Sequence, residues 1–243
     1  MDTQPVATDL AFICAMPMEV RPIVRKLSLA KTSVGGRPAH AGVLGDRHVV
    51  ALVTGMGTEL ARAGTERLLE NTSVKRVVVV GITGALEDLT PIGTVVLPEV
   101  VVNGATGGEY RPSPLGSGAP AGTMWTSDDL ITDPATLADL RARGVISLDM
   151  ETAAVAAVCE QRSVPWSVFR AISDRATDGT VNDEVFHLSN QDGSPNPAAI
   201  RRYFLKHPGS IPRMAKMARG ARRAAEAAAD AAIRACSTGL AVE

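Results

Sequence analysis

Residues 145–178 constrain the fold more than any other stretch, because they predict a strand, a helix and a second strand in close succession. Residues 145–148 are a short apolar run, and residues 151–162 carry apolar side chains at helical spacing. Residues 166–172 are rich in β-branched and aromatic side chains. A strand, a crossover helix and a second strand predict two parallel neighbours in one sheet.

Acidic residues follow both of these predicted strands. Glu151 comes just after the first strand, and Asp174 comes just after the second. The carboxyl ends of parallel strands share one edge of a sheet, where open α/β sheets bind ligands, so we expect these carboxylates to converge. The residues alone leave another role open: Asp149 and Glu151 could cap a helix, and Asp174 could be a turn residue.

The length of the chain, 243 residues with 45% apolar, suits one large α/β domain. Strands and helices alternate along most of the sequence, which predicts a three-layer α/β/α fold around a central mixed, mostly parallel sheet. We expect residues 1–200 to form this α/β domain. Residues 201–243 are expected to be a basic helical extension of the same domain.

Other predicted strands also lead into residues of specific chemistry. The strands at 10–15, 48–54 and 76–80 lead, in turn, to Glu19, to Gly55 and Gly57, and to the glycine-rich segment 81–84. Residues 95–102 predict one further strand, and residues 103–122, rich in Gly, Pro and Ser, predict a loop. If the strands are parallel, all of these groups meet at one edge of the sheet.

Composition and motifs exclude several classes of function. The net charge of −1 argues against a nucleic-acid-binding protein. The three cysteines and four histidines are dispersed without metal-ligand spacing, which predicts reduced thiols in a cytoplasmic protein and no metal site. No apolar run reaches membrane-spanning length. The sequence also has no P-loop and no serine-nucleophile elbow.

The pair Gly55 and Gly57 between a strand and a helix is similar to part of a dinucleotide-binding fingerprint. However, Leu60 stands where the third glycine belongs, and Gly81 stands where the next strand should end in an acid. A nicotinamide oxidoreductase therefore remains only a weak alternative. The groups left for chemistry are the separated carboxylates of Glu19, Glu151 and Asp174, and they suit acid–base cleavage of a glycosidic bond.

Several motifs resemble one enzyme family. Residues 149–156, Asp-Met-Glu-Thr-Ala-Ala-Val-Ala, and 170–174, Arg-Ala-Ile-Ser-Asp, resemble the purine nucleosidase/phosphorylase superfamily. Within it, residues 15–20, 54–57 and 81–86 are similar to the 5′-methylthioadenosine/S-adenosylhomocysteine nucleosidase branch. The resemblance implies a nucleoside phosphorylase-like fold, a small nucleoside as substrate, no cofactor, and a homo-oligomer, with a dimer favoured.

The resemblance also implies a role for each matching residue. Asp174 would protonate the purine at N7, Glu19 would orient and deprotonate the attacking water, and Glu151 would accept hydrogen bonds from the ribose hydroxyls. The remaining substrate-binding residues implied in this way pack on the sugar, steady Asp174, line the sugar or phosphate pocket, or enclose the base. They are Met150, Ser173, Gly57, Thr83, Gly84, Leu130, Ile131 and Phe186.

Together these features predict an N-ribosyl hydrolase for an adenine-type nucleoside. Glu19 stands where phosphate-using relatives typically carry an Arg-bearing motif, which favours water as nucleophile. Arg21 and Arg170 could bind phosphate, so a phosphorylase remains the alternative. Departures from the family pattern at residues 82–85 and 174–177 keep open a third possibility, a nucleoside-binding protein without turnover.

The C-terminal part of the chain differs from the rest in charge. Residues 201–235 contain nine Lys or Arg and two acids, a net charge of +7 in a chain of net −1. The short middle and this tail resemble the hopanoid-associated nucleosidase/phosphorylases, which implies a lipid-linked adenosine as an alternative substrate. The tail could contact anionic lipid headgroups at a membrane surface, or it could pack on the domain or a partner subunit.

Overall fold

The computed structural model describes residues 6–176, 183–190 and 192–238. Its strands are β1 (Val6–Cys14), β2 (Ala30–Val34), β3 (Arg37–Leu44), β4 (Arg47–Val53), β5 (Thr72–Ala85), β6 (Val95–Val96), β7 (Val100–Asn103), β8 (Glu109–Tyr110), β9 (Thr123–Thr126), β10 (Val145–Asp149) and β11 (Trp166–Arg175). Its helices are α1 (Pro17–Lys26), α2 (Thr58–Asn71), α3 (Pro134–Ala142), α4 (Thr152–Gln161), α5 (Asp183–Phe186), α6 (Pro197–Lys206) and α7 (Ile211–Thr238), with a 3₁₀ turn at Pro208–Ser210.

The strands form one mixed sheet with a parallel centre. β1 lies between β4 and β5 and is parallel to both, and β11 is parallel to β5. Antiparallel pairs occur at the margins, where β2, β3 and β4 form a meander and β7 pairs with β8. Two further antiparallel pairs join β10 to the end of β5 and β6 to β11. The predicted three-layer α/β/α fold with a mixed, mostly parallel sheet is therefore confirmed.

Each face of the sheet carries its own hydrophobic layer. Along β1, Ala11 and Ile13 point into the layer that also contains the buried residues of α2 and α4. Leu10, Phe12 and Cys14 point into the opposite layer, with α1 and α7. Because successive side chains of a strand alternate between faces, a stretch buried on both sides is apolar throughout, as residues 10–14 of β1 are.

The central strand β5 runs further than its β-branched residues indicate. The prediction that this strand ends at Val80 is wrong, because pairing with β11 continues through Gly81 to Ala85. Gly81 is required here for space rather than for a turn. A Cβ at this position would lie 2.6 Å from Arg170 Nη1 and closer still to Glu19 Oε1. The glycine-rich segment is thus a strand that lets side chains approach its backbone closely.

The two strands of the 145–178 unit are not neighbours, so the prediction that they pair in parallel is wrong. Both pair with the long strand β5 instead. β10 is antiparallel to the end of β5, with Leu148 opposite Gly84, and β11 is parallel to it, with Asp174 opposite Gly84. The two strands flank the same short length of β5, and this arrangement rather than a shared parallel edge brings their ends together.

The segment after β5 is more broken than expected. The single strand predicted at 95–102 is two strands, β6 and β7, with residues 97–99, including Pro98, between them. β6 pairs with β11, whereas β7 pairs with β9. The predicted loop at 103–122 includes the short strand β8. Proline explains the break, because it cannot donate to a strand ladder.

Helix α7 places its alanine-rich half in the core. Ala224, Ala228 and Ala232 are fully buried and pack with residues of β1, β5 and β11. Salt bridges of 2.8 Å from Arg25 to Glu226 and from Lys26 to Asp230 join α7 to α1. The C-terminal half of α7 is therefore a layer of the domain, and no helix among the described residues is long and apolar enough to cross a membrane.

Candidate active site

A cavity of about 260 Å³ lies where β5, β10 and β11 meet. All three strands contribute residues to its lining, and the first turns after β1 and β9 add more. Nine of the eleven residues predicted from the sequence line this cavity: Glu19, Thr83, Gly84, Leu130, Ile131, Met150, Glu151, Ser173 and Asp174. Residues from five separate segments of the chain thus surround one space.

Arg170 is the positive centre of this site. Its side chain is 2% exposed and contacts three carboxylates. Nη2 lies 2.7 Å from Asp149 Oδ2 and 3.0 Å from Glu151 Oε2, and Nη1 lies 3.6 Å from Glu19 Oε1. Nη1 also donates to the carbonyl oxygen of Ile82 at 3.0 Å. A buried guanidinium with this many acceptors is paired and hydrogen-bonded, as a buried charge must be.

Glu19 is held by backbone N–H groups of the two residues before α1 and of one residue in β5. Its Oε2 accepts hydrogen bonds from Ala15 N at 2.9 Å and Met16 N at 2.8 Å, and its Oε1 accepts one from Ile82 N at 2.8 Å. Burial raises the pKa of Glu19, and Arg170 and these hydrogen bonds oppose the rise. The carboxylate is therefore fixed in position and more basic than an exposed glutamate.

Glu151 is held at both oxygens, one by the backbone and one by the guanidinium. Oε1 accepts from Gly57 N at 3.1 Å, and Oε2 accepts from Arg170 Nη2 at 3.0 Å. Burial raises the pKa of Glu151 to about 7, against the opposing effect of Arg170 and with help from the charges of Asp149 and Glu19. At neutral pH this side chain can be either an acceptor or a donor.

Asp149 takes the helix-capping role that the sequence left open, and Glu151 does not. Asp149 Oδ2 accepts from Thr152 N at 2.9 Å, in the first turn of α4, and Oδ1 accepts from Thr126 Oγ1 at 2.6 Å. Glu151 makes no side-chain cap, because its carboxylate points into the cavity. Sequence reasoning did not assign Asp149 to the site, although it binds Arg170 and lines the cavity.

Asp174 lies within β11, at a break in the register of that strand. The pairing of β11 with β5 shifts between Ile172 and Asp174, so that Ser173 is the extra residue of a bulge. Ser173 Oγ donates to Asp174 Oδ1 at 2.5 Å. A Cβ on Gly84 would lie 3.4 Å from Asp174 Oδ2, so the carboxylate rests over this glycine. The bulge aims the carboxylate into the cavity.

The remaining walls of the cavity are mainly aliphatic and thioether groups. Met16, Met56 and Met217 line it together with Ala221, and Val185 adds a further apolar surface. No aromatic side chain belongs to the lining within the part of the chain that the structure describes. Sequence reasoning missed Met217 and Ala221, because they lie on α7 and no local pattern connects them to the strand ends.

The sequence matches the profile of one protein family. The sequence profile of the Phosphorylase superfamily matches residues 9–121 and 114–206, which is most of the chain. The chain belongs to the phosphorylase superfamily. The superfamily match spans β1 to β11 and α6, and so includes the elements that supply the carboxylates and Arg170.

Individual relatives in the superfamily agree with this assignment. A 5′-methylthioadenosine/S-adenosylhomocysteine nucleosidase of Bacillus cereus is 29% identical over 198 residues, covering 69% of this chain and 86% of the relative. Among solved structures, the nucleosidase of Neisseria meningitidis in complex with methylthio-immucillin-A has a TM-score of 0.72 at 17% identity, covering 95% and 99% of the two chains. The S-adenosylhomocysteine nucleosidase of Streptococcus pyogenes has a TM-score of 0.73 at 16% identity over the full length of both chains.

Some predicted residues of this superfamily member lie outside the cavity lining. Gly57 does not line the cavity but donates its N–H to Glu151. Phe186 is the last residue of α5, and its side chain is outside the described part of the structure, as is Asp178. Arg21 is exposed on α1 and is not among the lining residues.

The turn at Gly57 is engaged by a carboxylate of the same chain. No group of three His, Cys, Asp or Glu residues suited to a metal is found among the described residues. The N–H of Gly57, which a dinucleotide-binding turn would offer to a pyrophosphate, binds the Glu151 carboxylate instead. The chemistry available in the described cavity is that of carboxylates arranged around one guanidinium.

Proposed function

We propose that this protein is a nucleosidase that hydrolyses the N-glycosidic bond of an adenine-type purine nucleoside. The observation that carries the proposal is the meeting of Glu19, Glu151 and Asp174 in one cavity around Arg170. Membership of the phosphorylase superfamily and the named nucleosidase relatives support the reaction class. The cavity provides an acid, a base and a sugar-binding carboxylate, which glycosidic cleavage requires.

Asp174 acts as the acid in this proposal. It donates its proton to N7 of the purine, so that the base leaves with the electron pair of the C1′–N9 bond as a neutral species. Ser173, which donates to Asp174 Oδ1, keeps the carboxyl group turned toward the base. Leu130 and Ile131 line the cavity beside it and enclose the base with apolar surface. Departure of the base leaves positive charge on the ribose, shared between C1′ and the ring oxygen.

Glu19 and Glu151 act on the sugar side of the same bond. Glu19 takes a proton from a water molecule as that water attacks C1′, and its raised pKa makes it a stronger base. Glu151 in its ionised form accepts hydrogen bonds from the ribose hydroxyls, and Met150 packs against the sugar. The products are the free base and ribose carrying the original 5′ substituent. Exchange with solvent returns Asp174 and Glu19 to their starting protonation.

Water is favoured over phosphate as the nucleophile because Arg170 is already engaged. Its Nη2 binds Asp149 and Glu151, its Nη1 binds Ile82 O, and its Nε lies 3.3 Å from Thr152 Oγ1. Three carboxylates surround this cation, so a phosphate anion placed here would meet more negative than positive charge. Phosphorolysis remains the alternative that the assay must separate from hydrolysis.

The test is adenine release from methylthioadenosine, S-adenosylhomocysteine, adenosine and inosine, with and without phosphate. We expect release without phosphate, and a loss of about 10²- to 10⁴-fold in kcat for Asp174→Asn, which cannot donate the proton. Asp46→Asn, in the exposed turn between β3 and β4, is the matched control and should keep wild-type activity. Release only in the presence of phosphate would show a phosphorylase and remove the role proposed for Glu19.

Failure to release base under either condition would mean that the substrate is larger or that the protein only binds nucleosides. A lipid-linked adenosine, presented in detergent micelles, would then be assayed as the larger substrate. Binding of a nucleoside without any turnover would support a binding protein.

The assembly and the cellular location are also proposals. We propose a homodimer in the cytoplasm, which rests on the family resemblance of the sequence. Sedimentation velocity at micromolar concentration would show a single species of twice the 25.4 kDa chain mass if the dimer proposal is right. A monomer over the whole concentration range would contradict it.

A further inference from the structure

Helix α2 begins without a capping side chain of its own. Its N-cap is Gly57, with φ of 94°, a conformation that glycine adopts without strain. The cap comes from Asp128, in the loop after β9. Its Oδ1 accepts from Thr58 N at 2.7 Å, and its Oδ2 accepts from Thr58 Oγ1 at 2.6 Å. Asp128, which is distant in sequence, therefore caps the N-terminus of α2 in place of an N-cap side chain.

The contact of Asp128 lies one peptide unit away from a contact of Glu151. Gly57 N donates to Glu151 Oε1 at 3.1 Å, and the next N–H along the chain, that of Thr58, donates to Asp128. A Cβ on Gly57 would lie 3.4 Å from Asp128 Oδ1, so this carboxylate also rests against Gly57 itself. Asp128 therefore holds the Thr58 N–H and lies against Gly57, which restricts the direction of the Gly57 N–H bond that binds Glu151 Oε1.

Asp128 also belongs to the loop that lines the cavity. Its neighbours Ser127 and Asp129 are lining residues, as are Leu130 and Ile131. One carboxylate thus ties this loop to the start of α2. The loop lies beside the space for the base, and the residue before α2 binds Glu151, which serves the sugar. The hydrogen bonds of Asp128 therefore connect the base side of the cavity with its sugar side.

We propose that Asp128 is a positioning residue of this site, which holds Glu151 in place for the ribose through Thr58 and Gly57 and holds the 127–131 loop in place for the base. The proposal rests on the nucleosidase function proposed above. Asp128 itself does not line the cavity and takes no part in proton transfer.

Replacement of Asp128 by alanine tests the proposal in the full-length protein. We expect Asp128→Ala to raise KM for the nucleoside about five- to tenfold, the effect of losing one helix cap, with a smaller change in kcat. Asp128→Asn, whose amide oxygen can still accept from Thr58 N, should restore most of the affinity. Asp133→Ala is the matched control, because Asp133 caps α3 through Thr136 N at 2.8 Å and Thr136 Oγ1 at 2.7 Å without contacting α2 or Glu151.

A double-mutant cycle separates positioning from a general loss of stability. If Asp128 acts through Glu151, Asp128→Ala should raise KM much less in a Glu151→Gln background than in the wild type. The increase in KM caused by Asp128→Ala should also be smaller with a substrate that lacks the ribose hydroxyls proposed to bind Glu151. Fully additive effects in the cycle, or KM values equal to those of Asp133→Ala, would overturn the proposal.

Hydrogen exchange provides a measurement that needs no activity. In the ligand-free protein, we expect the Gly57 amide to exchange about five- to tenfold faster in Asp128→Ala and at the wild-type rate in Asp133→Ala. Unchanged exchange at Gly57 would contradict the link between Asp128 and Glu151. A wild-type protein that releases no base would count against the proposed function alone, because this exchange measurement would still test the link.

Discussion

Arg170 supplies the positive charge that makes the carboxylate cluster tolerable inside the protein. It is buried, and so are Asp149, Glu151 and Glu19 around it. Removing the cation would leave three carboxylates close together without a counter-charge. Such a change is far more damaging than losing an exposed pair, because buried charges without partners have no water to stabilise them.

We predict that Arg170→Met lowers the free energy of unfolding by about 3–5 kcal/mol at pH 7.5, measured by urea denaturation. Arg162→Met is the control, since Arg162 is exposed and forms only a 3.5 Å pair with Glu70, and it should cost no more than about 1 kcal/mol. Equal losses in the two variants would show that the buried cluster does not depend on Arg170.

Glu151 should make stability depend on pH. Its pKa is about 7 in the folded protein, above the ordinary value of 4.5 that applies to the unfolded chain. Between these two pH values the folded state keeps a proton that the unfolded state has released. The stabilisation that this proton provides is therefore complete below about pH 4.5 and is lost as the pH rises through about 7.

Glu151→Gln mimics the protonated side chain and removes this titration. We predict that the variant gains stability relative to the wild type between pH 5 and pH 8, by about 2–3 kcal/mol over that interval. Urea denaturation at both pH values measures the change, and Glu160→Gln, on the exposed end of α4, serves as the control. A constant difference between Glu151→Gln and wild type would mean that Glu151 does not change its charge in this range.

At the scale of elements, strand β5 and the helix packed on it decide the shape of the site. β5 pairs with β1 from Thr72 to Val79, with β11 from Val77 to its end at Ala85, and with β10 at Gly84 and Ala85. α7 crosses the sheet on its alanine face and brings Met217 and Ala221 to the cavity wall. Alanine allows this close packing because a larger side chain would hold the helix away from the sheet.

We predict that Ala228→Leu, in the buried face of α7, destabilises the protein by about 1–3 kcal/mol, the usual result of adding volume to a packed core. Ala215→Leu on the exposed face of the same helix should change stability by less than about 0.5 kcal/mol. Thermal unfolding of the two variants measures the difference. Similar destabilisation in the two variants would mean that the alanine face is not closely packed.

At the scale of the whole molecule, positive charge is concentrated at one end of the chain. Residues 197–223 include eight Lys or Arg and no Asp or Glu. None of these eight forms a salt bridge among the residues that the structure describes, although Arg213 donates to Tyr203 Oη at 2.9 Å. Leu205 and Ile211, within this basic segment, are exposed. The sequence leaves two roles open for the tail, and packing on the domain accounts for its alanine face. A lipid contact, the other role, would have to involve the residues before that face.

We predict that the protein sediments with vesicles that contain anionic phosphatidylglycerol and not with neutral phosphatidylcholine vesicles. The double variant Arg201→Glu/Arg202→Glu should weaken this binding at least about tenfold, because each cation near an anionic surface contributes about 1 kcal/mol. Lys31→Glu/Arg62→Glu, which makes the same charge change at exposed positions elsewhere, is the control. Absence of binding to either kind of vesicle would leave packing on the domain or on a partner subunit as the role of the tail.

The amino-acid sequence by itself determined the layers of the fold and the chemical groups of the candidate site. The continuous apolar run at residues 10–14 of β1 and the valines of β5 mark buried strands because the hydrophobic pattern of a strand is a local property of the sequence. Glu19, Glu151 and Asp174 stand out for a similar reason, since each follows or ends a strand within a short motif.

Only the tertiary structure decided how these parts meet. It placed β10 and β11 on either side of β5 rather than beside each other, and it gathered Asp149, Glu151 and Glu19 around Arg170. It also put α7 against the cavity. These contacts join residues far apart in the chain, and they depend on which strands pair and on how volumes fit, which local patterns of sequence do not encode.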